Sequence, residues 1–294
     1  MRGHLHSAEP SEFQRRRPIL LKFGGELLED RDRLATVVSA IATVTDRAPE
    51  VPLAIVHGGG KEIDAALKTA GIETRQVDGL RITDQPTLDI VVSVLAGAIN
   101  TRLAAALNAA GVNAVGLTGA DGRCGLSEPA AAHQAVDGRV IDLGRVGVPV
   151  PTSDTRLLTT LMSDGFVPVV ACIGMAAGGE VFNVNADTLA GHLAARLVAR
   201  RLVIAGTTAG VLDDNGATLA VVDAGDIARL VGEGTAKAGM VAKLRACENA
   251  LASGVDDVVI VDGRDRMALV DAALGDAPVK ATRMRAPWFQ SSGS

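Results

Sequence analysis

From residue 19 onward, short runs of aliphatic and β-branched residues alternate with longer amphipathic stretches, and glycines stand at the joins. Ile19-Leu20-Leu21-Lys22-Phe23 runs into Gly24-Gly25, and a helical stripe of Leu34, Val37, Val38 and Ile41 follows. Leu53-Ala54-Ile55-Val56 then runs into His57-Gly58-Gly59-Gly60, with Ile63, Leu67 and Ala70 on the next helical face. Four more apolar runs lie at 114–117, 167–171, 202–205 and 258–261, and helical patterns cover 86–110, 154–164, 187–200 and 240–253. A continuous apolar run is the mark of a strand buried on both faces, and strands separated by helices pair in parallel. The alternation therefore predicts an α/β chain, a three-layer α/β/α sandwich around a mainly parallel central sheet of about eight strands.

Two stretches break the rhythm. Residues 119–151 are rich in glycine and carry the turn pairs Asp121-Gly122 and Asp137-Gly138, which predicts β-hairpins at the edge of that sheet. Asp214-Asn215-Gly216 predicts another hairpin within 206–220.

Length and composition narrow the function classes. The 294 residues suit one large domain or two small ones. The reading is a short disordered extension over 1–17, a domain over 18–284 in two lobes, about 18–175 and 176–284, and a disordered tail over 285–294. A net charge of −5 leaves no basic stripe to displace counterions, and with 2% aromatics there is little for bases to stack on, so no nucleic-acid partner is expected. Cys124, Cys172 and Cys247 are odd in number and lack metal-ligand spacing, which predicts neither a disulfide framework nor a resident metal. The apolar run at 90–99 is too short for a membrane span, and the first 17 residues hold no continuous apolar segment. A soluble cytoplasmic protein is expected, with no membrane partner.

The chemistry concentrates at the joins. Lys22-Phe23-Gly24-Gly25 and His57-Gly58-Gly59-Gly60 leave backbone N–H groups open beside a helix start, which can bind an anion. Glycines that merely end a strand read the same way. Neither turn spells a P-loop or a dinucleotide fingerprint. Lys22 is more telling, because an ammonium at the end of a buried strand is costly without a negative partner. Asn183-Val184-Asn185-Ala186-Asp187-Thr188 opens a later helix, and Gly239-Met240-Val241-Ala242-Lys243 places a second lysine near another helix start. Taken singly, Asp187 reads equally as a helix N-terminal acid and Lys243 as a solvated side chain.

In combination and in this order, these motifs together with Asp78-Gly79-Leu80-Arg81-Ile82-Thr83 resemble the amino acid kinase family, over about residues 18–284. Within it they are most similar to the branch that phosphorylates the γ-carboxylate of N-acetyl-L-glutamate in arginine biosynthesis. The resemblance implies a carbamate kinase-like fold, ATP with Mg²⁺, and a cleft at the C-terminal edge of the sheet. It implies Lys22 beside the transferred phosphoryl group, Lys243 beside the leaving group, and Asp187 holding both lysines. Backbone N–H groups of Gly24, Gly25 and Gly59 would bind phosphoryl oxygens. Gly59, Gly60, Arg81 and Asn183 would bind the amino acid, Arg81 by its bidentate fork. The nucleotide would lie along Thr207, Thr208, Ala209, Gly210, Val211 and Leu212, and along Thr235, Ala236 and Lys237.

The chain departs from the family pattern in two places. Gly206-Thr207-Thr208 lacks an acidic residue usual in the nucleotide site, and Ala281-Thr282-Arg283-Met284 replaces a common Gly-Thr-Arg-Ile. The alternatives are a kinase for a carrier-linked aminoadipate or glutamate carboxylate, and a silent regulator on the same fold. A broad apolar face on Ile90, Val91, Val94, Leu95, Ala98 and Ile99, with the family's habit of pairing there, predicts a homodimer. The residues before Pro18 show no helical stripe, so a dimer insensitive to arginine is expected.

Overall fold

Strand β1 (Ile19–Phe23) is buried along its whole length, Lys22 included, and occupies the middle of the principal sheet. The computed structural model describes residues 17–284 except 136–137, 214, 233–237 and 276–279. After β1 the chain runs through α1 (Arg31–Arg47), β2 (Leu53–His57), α2 (Gly60–Thr69), the short strands β3 (Gln76–Val77) and β4 (Leu80–Arg81), and α3 (Gln85–Ala109). Next come β5 (Ala114–Thr118), β6 (Ser127–Pro129), β7 (His133–Gln134), β8 (Val140–Ile141), β9 (Val146–Pro149), α4 (Arg156–Ser163) and β10 (Val167–Ala171). The remainder is β11 (Ile173–Met175), β12 (Val181–Val184), α5 (Ala186–Arg196), β13 (Arg201–Gly206), β14 (Val221–Val222), α6 (Ala224–Gly232), α7 (Ala238–Ala252), β15 (Val258–Asp262), α8 (Arg266–Leu274) and β16 (Ala281–Met284).

Eight strands form the main sheet in the order β14-β16-β15-β13-β1-β2-β10-β5. Every neighbouring pair is parallel except β15 with β16. Helix α1 packs against α8 and the last turns of α3, while α5 packs on α7. The fold is the predicted α/β sandwich. Because β1 lies between β2 and β13, the first half of the chain builds one flank and the second half the other. Such a switch point opens a crevice at the C-terminal ends of the strands.

The segment over 119–151 departs from the expectation. It does not extend the main sheet; β6 and β9 join β11 and β12 in a separate four-stranded sheet, and β7 pairs with β8. The reason is close backbone packing that only glycine allows. A Cβ on Gly119 would lie 2.4 Å from the Ile173 carbonyl oxygen, and one on Gly125 would lie 2.8 Å from the Gly119 Cα. The chain leaving β5 is thus locked onto β11 instead of the β5 edge. A satellite core of Val77, Ala135 and Leu143 ties the β3–β4 and β7–β8 hairpins together, and His133 Nε2 meets Asp78 at 2.8 Å beside it.

The hairpin expected within 206–220 is present as an antiparallel bridge of Leu212 with Thr218, with Asp214 itself outside the described residues. The expected loose ends at 1–16 and 285–294 also lie outside them. Arg17, counted with the first of these, donates to the Val198 carbonyl at 2.7 Å.

Candidate active site

The two glycine turns meet at the C-terminal ends of β1 and β2. A Cβ on Gly25 would stand 2.4 Å from the Gly59 Cα, so the turns touch backbone to backbone and Gly25 tolerates no side chain. The Gly24 N–H donates to the Ala205 carbonyl at 3.2 Å, and the Gly58 N–H to the Phe23 carbonyl at 3.1 Å. Those bonds stitch the turns to the neighbouring strands. Gly24 therefore spends its amide inside the sheet, whereas the Gly25 and Gly59 amides find no acceptor among the described residues.

Lys22 leaves β1 into this crevice and is only 6% exposed. Its Nζ lies 2.8 Å from Asp187 Oδ1. Asp187 is aimed there by the helix cap before it: the Asn185 side chain accepts from the Asp187 and Thr188 amides at 2.9 and 3.0 Å, fixing the first turn of α5. Burial alone would discharge both groups, pushing Lys22 down and Asp187 up. The pairing outweighs it, so the Lys22 pKa ends above its ordinary value and that of Asp187 below.

Lys243 reaches the same place from α7. Gly206, at the end of β13, makes room for it, since a Cβ there would be 3.2 Å from Lys243 Nζ. Gly191 lets α5 approach α7, with the Ala246 carbonyl 3.1 Å from where its Cβ would be. Burial and the positive charge of Lys22 hold the Lys243 pKa below its ordinary value, against the pull of Asp187 and Glu26. Asp187 pairs directly with Lys22 and acts on Lys243 through its charge alone.

Glu26 is a member of the site that the sequence reading missed. Its carboxylate lies over Gly24, 2.3 Å from where a Cβ would stand, and faces Gly206. The signal was available, as it follows Gly24-Gly25 directly, but it reads as an ordinary first-turn acid.

The predicted amino-acid residues form a chain of contacts. Arg81, at the end of β4, donates through Nη2 to Asp64 Oδ1 at 2.6 Å and to the Gly60 carbonyl at 3.3 Å. Its Nη1 is buried without a partner, a donor directed at nothing in the protein. Asn183 donates to Thr83 Oγ1 at 3.2 Å, and Thr83 donates to the Arg81 carbonyl at 3.1 Å. Thr83 is fully buried and couples β12 to the hairpin that carries Arg81. Gly59 and Gly60 open α2 beside them.

Of the nucleotide stretch, Gly210 and Val211 turn inward, and the Val211 amide donates to Thr282 Oγ1 at 2.7 Å. Thr207, Thr208, Ala209 and Leu212 keep exposed surface. Thr235, Ala236 and Lys237 lie outside the described residues. Among the described residues no three His, Cys, Asp or Glu side chains converge as a metal cluster.

Residues 17–262 match the model of the amino acid kinase family. A protein of Novosphingobium aromaticivorans named acetylglutamate kinase is 39% identical over 254 residues, covering 83% of each chain. N-acetylglutamate synthase of Neisseria gonorrhoeae, solved with coenzyme A and N-acetyl-glutamate, superposes with a TM-score of 0.76 at 24% identity; 93% of this chain is covered, and it spans 61% of that one. Giardia carbamate kinase superposes with a TM-score of 0.63 at 14% identity, covering 92% of this chain and 99% of its own. The two structures share the fold, and the family match together with the close sequence relative shows that this chain belongs to the amino acid kinase family.

Proposed function

We propose that this chain transfers the γ-phosphoryl group of ATP to the γ-carboxylate of N-acetyl-L-glutamate, giving the acyl phosphate and ADP. The observation that carries the reading is the Lys22–Asp187–Lys243 group at the junction of two glycine turns. Phosphoryl transfer asks a protein for positioning and charge neutralisation more than for covalent help. The relatives named acetylglutamate kinase supply the acceptor.

In this reading a carboxylate oxygen attacks the γ-phosphorus in line, its new bond to phosphorus forming as the bond to the β,γ-bridging oxygen breaks. Lys22 neutralises the equatorial oxygens, and the Gly25 and Gly59 amides donate to them. Lys243 meets the charge that collects on ADP. Arg81 Nη1 and the Asn183 amide hold the α-carboxylate end, and Thr207, Thr208 and Leu212 line the nucleotide. Mg²⁺ would arrive on the phosphates of ATP, which suits a site with one free carboxylate, Glu26, and no cluster of ligands among the described residues. When bound it supplies further neutralisation of phosphate charge.

Helix α3 is long and apolar enough to cross a membrane by length and composition. It lays Val91, Leu95, Ile99, Leu103 and Leu107 into the core instead. Its outer side carries Ser93, Gly97, Ala98, Thr101 and Ala105, and we assign that side to a homodimer contact in a soluble cytoplasmic enzyme.

The test offers free N-acetyl-L-glutamate with ATP and Mg²⁺ and traps the acyl phosphate with hydroxylamine. Hydroxamate formation is expected. Nucleotide binding without turnover would make the chain a silent regulator, and turnover only with a carrier-linked acid would reassign the acceptor.

A further inference from the structure

His57 lies at the end of β2, fully buried, and the transfer chemistry above gives it nothing to do. It nevertheless makes two hydrogen bonds. Its Nε2 faces the Asn100 Nδ2 at 3.0 Å, and its Nδ1 faces the Gly58 carbonyl at 3.2 Å. An amide nitrogen can only donate, so Nε2 is the acceptor and Nδ1 carries the proton that goes to Gly58. Burial keeps the ring neutral, with a pKa lowered to about 4.

The Gly58 carbonyl belongs to the same planar peptide as the Gly59 N–H. In a trans peptide the two point in opposite directions, so whatever fixes one fixes the other. The imidazole therefore sets the direction of an amide that opens on the phosphoryl site.

Asn100 reaches His57 because α3 is not regular. Over Ser93–Ile99 the helix widens, and the Asn100 N–H donates to the Leu95 carbonyl five residues back. In a regular helix residues five apart diverge by about 140° around the axis, whereas a five-residue turn brings them back onto one face. That face carries Leu95 and Ile99, which seat on Gly59: a Cβ there would be 2.9 and 2.2 Å from their methyl carbons. Asn100 is itself anchored by donation to the Val169 carbonyl at 2.8 Å, in a space that Gly116 leaves open. Hydrocarbon from one side and an imidazole from the other hold the same two-residue turn.

We propose that His57 and Asn100 are positioning residues, and that the widened turn of α3 brings Asn100 onto His57 so that the Gly58–Gly59 peptide presents its N–H to the transferred phosphoryl group. This rests on the reading of Gly59 as a phosphoryl donor given under the proposed function.

Two substitutions separate this role from simple filling of space. His57→Asn keeps a donor where Nδ1 stands, whereas His57→Gln keeps a group where Nε2 stands and loses the donor to Gly58. Wild-type turnover of N-acetyl-L-glutamate is measured first, so that its absence is charged to the functional reading alone. His57→Gln should then lose about tenfold or more in kcat with KM for both substrates near wild type, and His57→Asn should lose clearly less, since it keeps the donor to Gly58 and gives up only the contact with Asn100. Amide exchange of Gly59, read by NMR without substrate, should quicken more in His57→Gln than in His57→Asn. Equal impairment of the two variants, or unchanged Gly59 exchange in both, overturns the proposal. Should neither variant fold, ¹⁵N NMR of the wild-type imidazole decides: a proton on Nδ1 supports it, and one on Nε2 overturns it.

Discussion

Lys22 Nζ and Asp187 Oδ1 stand 2.8 Å apart in a site where the lysine is almost entirely buried. Lys22→Ala removes the direct contact to Asp187 and leaves that carboxylate only the more distant charge of Lys243, and a hydrogen bond to a charged group contributes about 1.5–3 kcal/mol. Lys22→Ala should therefore lose stability as well as turnover. Lys243 approaches the site over Gly206 from the side of a helix and is less enclosed. Lys243→Ala should lose turnover by about 10²-fold, as when one transition-state donor is removed, with little change in unfolding. Urea unfolding beside steady-state kinetics checks both, and a Lys22→Ala protein as stable as wild type would refute the buried pair.

The burial of His57 makes an acid-side prediction. Its folded pKa, about 4, lies below the ordinary 6.5. Between those values the unfolded chain binds a proton that the folded chain refuses, so stability rises with pH there. The contribution is complete above about pH 6.5 and is lost on acidification, approaching about 1.4 kcal/mol per pH unit down to about pH 4. His192 is shifted in the same direction, also to about 4, by burial and by Arg196. Unfolding free energies at pH 7, 6 and 5 should fall in that order, and His57→Asn should flatten the slope by about one proton. Equal slopes in the two proteins would count against it.

If Lys243 meets the charge on the leaving group as proposed, it should set the alkaline side of activity. Burial and Lys22 lower its pKa, so it sheds its proton below 10.5, while Lys22 is raised and keeps its own. Turnover should decline as pH climbs through the Lys243 pKa. Glu26 is one of the groups holding that pKa up. Glu26→Gln should move the alkaline limb of the kcat profile to lower pH, and a limb that stays put or moves up would remove Lys243 from this role.

Arg81 has one buried nitrogen without a partner while its other end is fixed by Asp64 and Gly60. In the proposed reading, a donor held in this way would bind the acid in the ground state as well as in the transition state. Arg81→Ala should raise KM for the acid by about tenfold or more and leave KM for ATP near wild type. Arg81→Lys should not restore it, since an ammonium lacks the planar fork. An unchanged KM for the acid with lost nucleotide binding would reverse the assignment of the two subsites.

The central parallel strands β1, β2, β10 and β13 were legible because each is a run of five or six buried, mainly aliphatic residues, and the join after β1 announced itself by setting Lys22 in such a run. What the sequence hid is long-range. The second sheet pairs Asn183 with Val146 and Ile173 with Asn183, contacts for which no local pattern speaks. Strand β16 is antiparallel to β15, and nothing in Ala281-Thr282-Arg283-Met284 announces a strand or its direction. In the site, Glu26 stands directly after one quoted motif and Thr83 inside another, but only their neighbours in space distinguish them from a first-turn acid and a turn threonine. Asn100 was hidden more deeply, since regular helical periodicity turns it away from Leu95 and only the widened turn brings it back.

The same helix gives the last prediction. An 18-residue window of α3 is strongly apolar and only 39% buried within one chain, so much of its apolar surface faces outward. A stripe of small residues there allows a second copy of the helix to approach closely, and a two-fold contact presents the same patch from both chains. Gly97 is the sharpest probe, because it is exposed and a Cβ on it would meet nothing within 4 Å. Gly97→Glu should leave the fold of one chain intact, for no neighbour is displaced, while setting two carboxylates against each other across the contact. Light scattering at several concentrations should report a dimer for wild type and a monomer for Gly97→Glu, each with its thermal transition. Adding arginine should alter neither the wild-type mass nor its activity. A wild-type monomer, or a Gly97→Glu dimer, would place the contact elsewhere, and a hexamer inhibited by arginine would overturn the regulatory half of the prediction.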